Sequence, residues 1–159
     1  MGLSFLGTYV DEFKTEPVPG LGDYDCAGYY GVTCGTPIPK WRHKLRAVWT
    51  TPWLFDIAAT WRHLDSVKID ASSGNPLLAG AFAPITAELA KRDYFDVSGS
   101  WNVTKKITLR AGVNNLFDKD PPISDSTGVV GPPFGNGNTY PQVYDALGRK
   151  FFASMTVQF

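Results

Sequence analysis

The chain has 159 residues, of which 43% are hydrophobic and 19% charged, and its formal net charge at pH 7 is zero. This charge balance gives no reason to expect nucleic acid or an anionic membrane surface as a partner, because both require a basic excess. An aromatic content of 14%, with 16 Gly and 12 Pro, favours strands broken by turns over helices. No apolar run reaches the roughly 18 residues of a transmembrane helix, although alternating membrane strands stay possible.

The amino terminus does not look like a secretion signal. The stretch MGLSFLGTYVDEF has no basic leading segment and no cleavage-site pattern, and an acidic residue appears at Asp11. An exported protein of this sequence would carry its signal upstream of Met1. We therefore expect the sequence to be part of a longer chain.

Six segments alternate between apolar and polar residues, and in each of them the apolar residues have odd numbers. A period of two is typical of β-strands with one apolar face, whereas a helix would need apolar residues at i, i+3, i+4 and i+7. The pattern therefore predicts an all-β fold of six antiparallel strands, of which the first is the weakest. The apolar odd positions are, in chain order, Leu3, Phe5, Gly7, Tyr9 and Phe13; Trp41, Leu45, Ala47 and Trp49; Trp53, Phe55, Ile57, Ala59 and Trp61; Phe95, Val97, Gly99, Trp101 and Val103; Ile107, Leu109, Ala111, Val113 and Phe117; and Phe151, Ala153, Met155, Val157 and Phe159.

The connections between these segments alternate in length. They cover residues 16–40, 50–52, 70–92, 104–106 and 118–149, so they are long, short, long, short and long. Outer-membrane β-barrels have this rhythm, with long extracellular loops and short periplasmic turns. A soluble sandwich rarely contains three long connections without secondary structure. The spacing therefore favours part of a transmembrane β-barrel over a generic antiparallel domain.

The five tryptophans share the apolar parity and predict two aromatic layers. A turn at residues 50–52 would pair Trp49 with Trp53 and Trp41 with Trp61. The two pairs would lie roughly 20 Å apart along the membrane normal, close to the ~25 Å apolar band of a membrane barrel. Together with Trp101 they are interpreted as an aromatic girdle at both lipid interfaces. The alternative is that they pack in the core of a soluble protein.

The even-numbered face carries more basic than acidic residues, and its cations include Arg42, Lys44, Arg46, Arg62 and Arg110. A packed core would not accept so many charges, but a water-filled lumen would. These cations are therefore predicted to face the lumen. The alternative is an even face that is simply exposed to solvent.

Three stretches resemble the C-terminal barrel region of TonB-dependent outer-membrane receptors. They are CAGYYGVTCGTPIPKWRHKLRAVWTTPW (26–53), RAGVNNLFDKDPP (110–122) and YDALGRKFFASMTVQF (144–159). The resemblance implies that residues 1–159 supply about six strands of a barrel of about 22 strands, and that the plug domain lies outside this sequence. The lumen-facing cations would then either guide anionic substrates or contact carboxylates of the plug, and we favour the plug because charges in a plugged lumen need partners. It also implies that the last strand, with Phe151, Met155, Val157 and Phe159, resembles the signal read by the barrel assembly machinery.

The function that the resemblance implies is energy-coupled uptake of a scarce solute, such as a ferric siderophore, cobalamin or a saccharide, in the bacterial outer membrane. Its implied partners are membrane lipid, the plug, the TonB energy-coupling complex and the barrel assembly machinery. The alternative is a soluble or surface-attached β-sheet binding module. An enzyme or a cofactor is not expected, because the sequence has no nucleophile motif, phosphate-binding glycine pattern or HExxH helix. The sequence does not identify ligand-binding residues.

The only cysteines, Cys26 and Cys34, lie in the first long connection, which the resemblance places at the cell surface. An even count there predicts a disulfide, whereas a metal site would need further ligands and redox catalysis a CxxC spacing. The only histidines, His43 and His63, have the apolar parity and lie near two tryptophans. We interpret them as interfacial residues, with a catalytic or metal pair as the alternative.

Overall fold

The computed structural model describes residues 1–124 and 138–158, and in these ranges the chain is all-β, as predicted. Three short 3-10 helices lie at Asp70–Ser72, Pro76–Leu78 and Pro84–Thr86. In the same ranges, no helix has the length and apolarity needed to cross a membrane. The strands are β1 (Gly2–Tyr9), β2 (Lys14–Thr15), β3 (Tyr24–Asp25), β4 (Tyr29–Tyr30), β5 (Trp41–Thr50), β6 (Phe55–Leu64), β7 (Val67–Ile69), β8 (Glu88–Leu89), β9 (Arg92–Asn102), β10 (Ile107–Asn114) and β11 (Lys150–Val157).

Six of these strands form one antiparallel sheet in the order β1-β5-β6-β9-β10-β11. They are the six segments that the alternation predicts, with differences at their ends. Strand β1 stops before Phe13, and β10 stops before Phe117. Tight turns at residues 51–54 and 103–106 lie at one end of the sheet, and the connections 10–40 and 65–91 and the described parts of the last connection, 115–124 and 138–149, lie at the other. The predicted alternation of long and short connections is therefore confirmed.

Odd-numbered residues share one side of the whole sheet, which we call the odd face. Paired positions join residues of equal parity, as in the row Phe55, Trp101, Leu109 and Met155, which crosses four strands. Because side chains alternate along each strand, this register creates an odd face and an even face. Strands β1 and β11 are exposed along their whole length, and Phe151 of β11 is 75% exposed. The odd face therefore presents large apolar side chains outside any core.

The register of β5 with β6 differs from the predicted one. Trp49 lies opposite Ile57 instead of position 53. The predicted pairs Trp49–Trp53 and Trp41–Trp61 are therefore wrong. Because the shift is an even number of residues, both strands keep the predicted face.

The turn at residues 51–54 causes this shift. The backbone N–H and the hydroxyl of Thr51 both donate to the carbonyl of Phe55, at 2.9 and 2.7 Å. Leu54 has a φ of 60°, in the left-handed region that residues with a Cβ rarely adopt. Trp53 consequently lies in the turn and not in β6, and it is 75% exposed.

The long connections fold together at their end of the sheet, and we call their described part the loop cap (residues 10–40, 65–91, 115–124 and 138–149). Strand β4 pairs in parallel with β7, β7 pairs with β8, and β2 pairs with β3. The expectation of connections without secondary structure is therefore wrong. All three connections contribute to one buried core, which contains Tyr30, Val67, Ile69, Leu89, Tyr140 and Tyr144.

Candidate functional site

The five predicted basic residues lie on the even face of the sheet. Arg42, Lys44 and Arg46 occupy alternate positions of β5, so their side chains leave the strand on the same side. Arg62 of β6 lies opposite Lys44, and Arg110 lies on β10. The even face therefore has a row of three cations on β5, one on the neighbouring β6 and one on β10, two strands farther across the sheet.

Arg62 is already paired within the chain. Its guanidinium donates to Asp96 at 2.7 and 3.0 Å and to Asp145 at 3.0 and 2.5 Å. It also lies 5.0 Å from the ring centroid of Tyr94, where a cation is attracted to the aromatic face. The side chains of Asp96 and Asp145 are only 18% and 15% exposed. Arg62 thus has the predicted face, but its charge belongs to an internal network.

This network fixes the base of the last connection. Asp96 also accepts the backbone N–H of Asn115 at 2.9 Å, and the backbone N–H of Asp145 donates to the Tyr94 hydroxyl at 3.3 Å. Asn115 has a φ of 54°, and its side chain bonds to both the carbonyl and the N–H of Lys119, at 2.9 and 2.8 Å. The stretches 110–122 and 144–159, which carry the family resemblance, therefore close this connection onto the even face.

The other four cations have no ion pair with any residue in the described ranges. Two clefts lie beside them on the even face. Arg42 and Lys44 line a cleft of about 280 Å³, which Val143 of the last connection also lines. Arg46 and Arg110 line a second cleft of about 420 Å³ together with Asp56. The first cleft has unpaired cations without an acidic residue in its lining, so it can offer charge-assisted hydrogen bonds to an anionic group.

The first connection is held by a disulfide between Cys26 and Cys34. Asp70, which is 4% exposed, accepts the N–H groups of Thr33 and Cys34 at 2.9 and 3.0 Å. A Cβ at Gly31 would overlap the Asp70 carboxylate, and Gly31 has a φ of 146° that favours glycine. The buried carboxylate therefore joins the second connection to the disulfide loop of the first.

Asp25 and Tyr144 of the loop cap have shifted pKa values. Burial acts to raise the pKa of Asp25, but the N–H groups of Ala27 and Phe13, which donate to its carboxylate at 2.9 and 2.7 Å, outweigh burial and leave that pKa lowered. Burial raises the pKa of Tyr144, whose hydroxyl has no hydrogen-bond partner in the part of the chain that the structure describes. Tyr144 therefore serves as an apolar core residue.

The five tryptophans lie in two groups, with four of them on the odd face and Trp53 in the tight turn. Trp41 and Trp61 are near the loop cap, while Trp49, Trp53 and Trp101 are near the tight turns. Phe55, the residue opposite Trp101 in β9, joins the second group through the β6–β9 pairing. The strands thus carry aromatic side chains near both ends, and their contact with lipid stays a prediction.

His43 and His63 lie opposite each other in the group near the loop cap, with ring centroids 5.0 Å apart. Trp41 Nε1 donates to His43 Nδ1 at 2.9 Å. Asp93 Oδ1 lies 2.8 Å from His63 Nδ1 and accepts the Trp61 Nε1–H at 2.8 Å. No group of three or more His, Cys, Asp or Glu that could hold a metal occurs in residues 1–124 or 138–158. The two histidines therefore belong to an aromatic cluster.

The predicted assembly signal is only partly visible. Phe151, Met155 and Val157 alternate on β11 with the odd parity and are all exposed. Phe159 lies outside the described residues. Its role in assembly stays a prediction.

Two carboxylates that organise this end of the molecule escape sequence reasoning. Asp145 lies inside a stretch that carries the resemblance, but its partner Arg62 is 83 residues away. Asp70 lies in a long connection, where the alternation gives no information about partners. The only available signal is the placement of Asp145 in YDALGRKFF.

No family model matches the sequence, and no curated protein matches it. Structures of variants of the ferric enterobactin receptor PfeA from Pseudomonas aeruginosa share its fold. Two of them give TM-scores of 0.56 and 0.54 at 21% and 19% sequence identity. A third, in complex with enterobactin, gives a TM-score of 0.53 at 21% identity.

Each of these matches covers 76% of this chain. The chain spans only 16 to 17% of the length of the receptors. The six-stranded antiparallel sheet with an odd and an even face agrees with this similarity to the receptor structures. The chain has the fold of a part of the barrel of a TonB-dependent outer-membrane receptor.

Proposed function

We propose that this chain forms part of the wall of an outer-membrane receptor that takes up a scarce solute, with its odd face against lipid and its even face toward the lumen. The observation that carries the proposal is the exposed odd face. Its large apolar side chains lie outside the buried core, which belongs to the loop cap. Soluble monomers rarely expose a continuous apolar surface larger than a few hundred Å².

The charges of the even face support the same orientation. Arg42, Lys44, Arg46 and Arg110 are tolerated on one face only if water or a partner meets them there. The odd positions of the same strands carry mostly apolar and aromatic residues, with His43, His63 and Asp93 confined to the end near the loop cap. Lipid on the odd side and a polar lumen on the even side match this division.

The proposed wall continues beyond this sheet. Among the described residues, β1 and β11 each have a neighbour on one side only. A membrane barrel needs about eight strands or more, and open edges invite aggregation. We therefore propose that further strands complete the barrel and that a separate plug domain, in the same protein, fills its lumen and meets the TonB energy-coupling complex.

Solute uptake follows from this architecture as the proposed activity. The ferric enterobactin receptor is a protein that shares the fold of this chain. A ferric siderophore is accordingly one candidate solute, with cobalamin or a saccharide as others. The exposed alternating residues of β11 support recognition by the barrel assembly machinery.

Tryptophan fluorescence in lipid vesicles tests the orientation. The complete receptor that contains this chain is reconstituted into phosphatidylcholine with bromine atoms on the acyl chains, which quench indoles that contact them. Trp49 and Trp101 should be quenched, and the signal lost on quenching should fall in the variant W49F/W101F. A chain that stays in the aqueous supernatant as a monomer, with unquenched tryptophans, would instead be a soluble binding module.

A further inference from the structure

We propose that the cleft lined by Arg42 and Lys44 binds a small solute that carries two negative charges. This inference rests on the proposed function, because it requires the even face to border an accessible lumen.

The two cations are available because nearby acids are already engaged. Arg62, which lies opposite Lys44, forms ion pairs with both Asp96 and Asp145. Neither Arg42 nor Lys44 has an acidic partner in the described ranges. The cleft therefore retains positive charge that the wall does not neutralise.

The spacing of the cations suits a doubly charged group. Arg42 and Lys44 are two residues apart on one strand, so their Cα atoms are separated by about 6.6 Å. Both side chains are exposed at the cleft. A phosphate or a dicarboxylate can contact both, because a guanidinium and an ammonium each provide several donors.

Three apolar residues in the walls suit a ligand with an apolar body. Leu6, Leu64 and Val143 line the cleft together with Thr8, His43, His63 and Arg62, whose charge is already paired. Val143 packs against the buried core of the loop cap, and the neighbouring Asp145 is held by Arg62. This part of the wall is therefore fixed in place.

The size of the cleft favours a small solute over a polypeptide. Its volume is about 280 Å³. Small-molecule sites usually occupy about 300 to 1,000 Å³, so this cleft is near the lower limit. Charge complementarity and this volume together indicate a compact anion such as an aryl phosphate.

Isothermal titration with phenyl phosphate tests the proposal on the complete receptor in non-ionic detergent. The matched variants are R42Q/K44Q, which neutralises the cleft, and R110Q, which neutralises an unpaired cation away from it. We expect R42Q/K44Q to weaken binding by about tenfold or more, because two charge-assisted contacts are lost, and R110Q to change it less than twofold. If R42Q/K44Q does not fold, the single variants R42Q and K44Q replace it, and each should weaken binding by about threefold or more.

Three outcomes would overturn the inference: a folded chain that does not bind phenyl phosphate, equal losses in R42Q/K44Q and R110Q, or a carbodiimide cross-link from Lys44 to an acidic polypeptide in the intact receptor. The last would assign the cleft to a plug contact. The fluorescence test keeps the two proposals apart. Quenched tryptophans without anion binding reject this inference alone, whereas an unquenched soluble chain rejects the proposed function.

Discussion

The carboxylate of Asp118 accepts the backbone N–H of Arg149 at 2.7 Å, and its second oxygen lies 3.6 Å from the Arg149 guanidinium. The two residues flank the last long connection, just after β10 and just before β11. Gly148, with a φ of 67°, lets the chain pass the carboxylate, because a Cβ there would lie 2.7 Å from Asp118 Oδ1. The ends of this connection are therefore joined before it reaches the rest of the loop cap.

The Arg62 network should control how firmly the last connection is held. In D145N, Arg62 keeps Asp96 but loses its charged bond to the connection, which should reduce local stability by about 1–3 kcal/mol. Hydrogen exchange at Gly148, whose N–H donates to the Asp145 carbonyl, should accelerate accordingly. D120N removes a carboxylate from the same connection and should leave exchange unchanged. Equal exchange in the two variants would contradict a role for the Arg62 bond.

The pairing of β2 with β3 should weaken in acid. The pKa of Asp25 is lowered in the folded chain, so its contribution to stability is present above the unfolded value of about 3.9 and is lost as the pH falls through the folded pKa. Amide exchange at Phe13 and Ala27, both donors to this carboxylate, should therefore lose protection below about pH 4. In D25N the same amides should be less protected at pH 7 and respond little to acid. Protection that is independent of pH in both proteins would refute the assignment.

The disulfide should stabilise the first connection. Its cysteines are eight residues apart. Closing a loop of that size lowers the conformational entropy of the unfolded chain, which stabilises the folded chain by about 2.5 kcal/mol. The variant C26S/C34S should therefore be cleaved faster by protease between these positions, with the strands of the sheet still intact. V32S, which changes an exposed side chain of the same loop, serves as the control. Cleavage at the wild-type rate would mean that the Asp70 carboxylate alone is sufficient.

Gly112 should resist substitution by alanine. The ring of Phe152 from β11 covers it, so a Cβ would lie 2.5 Å from Phe152 Cζ and 2.8 Å from the Val97 carbonyl. Overpacking of this kind costs about 1–3 kcal/mol, and G112A should unfold at lower denaturant concentration in detergent. G2A is the matched control, because nothing lies within 4 Å of a Cβ at Gly2. Equal midpoints for G112A and G2A would show that the ring moves without cost.

Charge reversal at the second even-face cleft should distinguish two roles for its cations. If Arg46 and Arg110 contact carboxylates of a plug, R46E/R110E in the full receptor should release the plug, because like charges then face each other. Plug retention is measured by protease protection, and uptake by accumulation of labelled solute. K105E, at a tight turn, is the control. Loss of uptake with the plug still seated would assign these cations to the solute.

The alternation was sufficient to predict the faces, because the pleat imposes a period of two that each strand carries in its own residues. It predicts the wrong register for β5 and β6, because Trp53 fits the alternation of apolar residues at odd positions although it lies in the turn and not in β6. Thr-Pro-Trp-Leu has no glycine or asparagine to reveal the left-handed residue at Leu54. Both registers satisfy the same parity, so the pattern could not separate them.

The sequence pattern does not predict which residues of different connections contact each other. The pairing of Arg62 with Asp145 joins residues 83 positions apart, and Asp70 bonds to Thr33 across two connections. Periodicity describes one strand at a time and contains no information about which loops meet. The resemblance nevertheless pointed to the stretches that contain Asp118 and Asp145.

The shared core of the loop cap has a consequence for loop exchange. Tyr30, Ile69 and Tyr144 come from three different connections and are buried in one cluster. A chimera that receives only one of these connections from another receptor would bury mismatched side chains against the other two. Grafting a new binding specificity onto this scaffold should therefore require transplanting all three connections as a single unit.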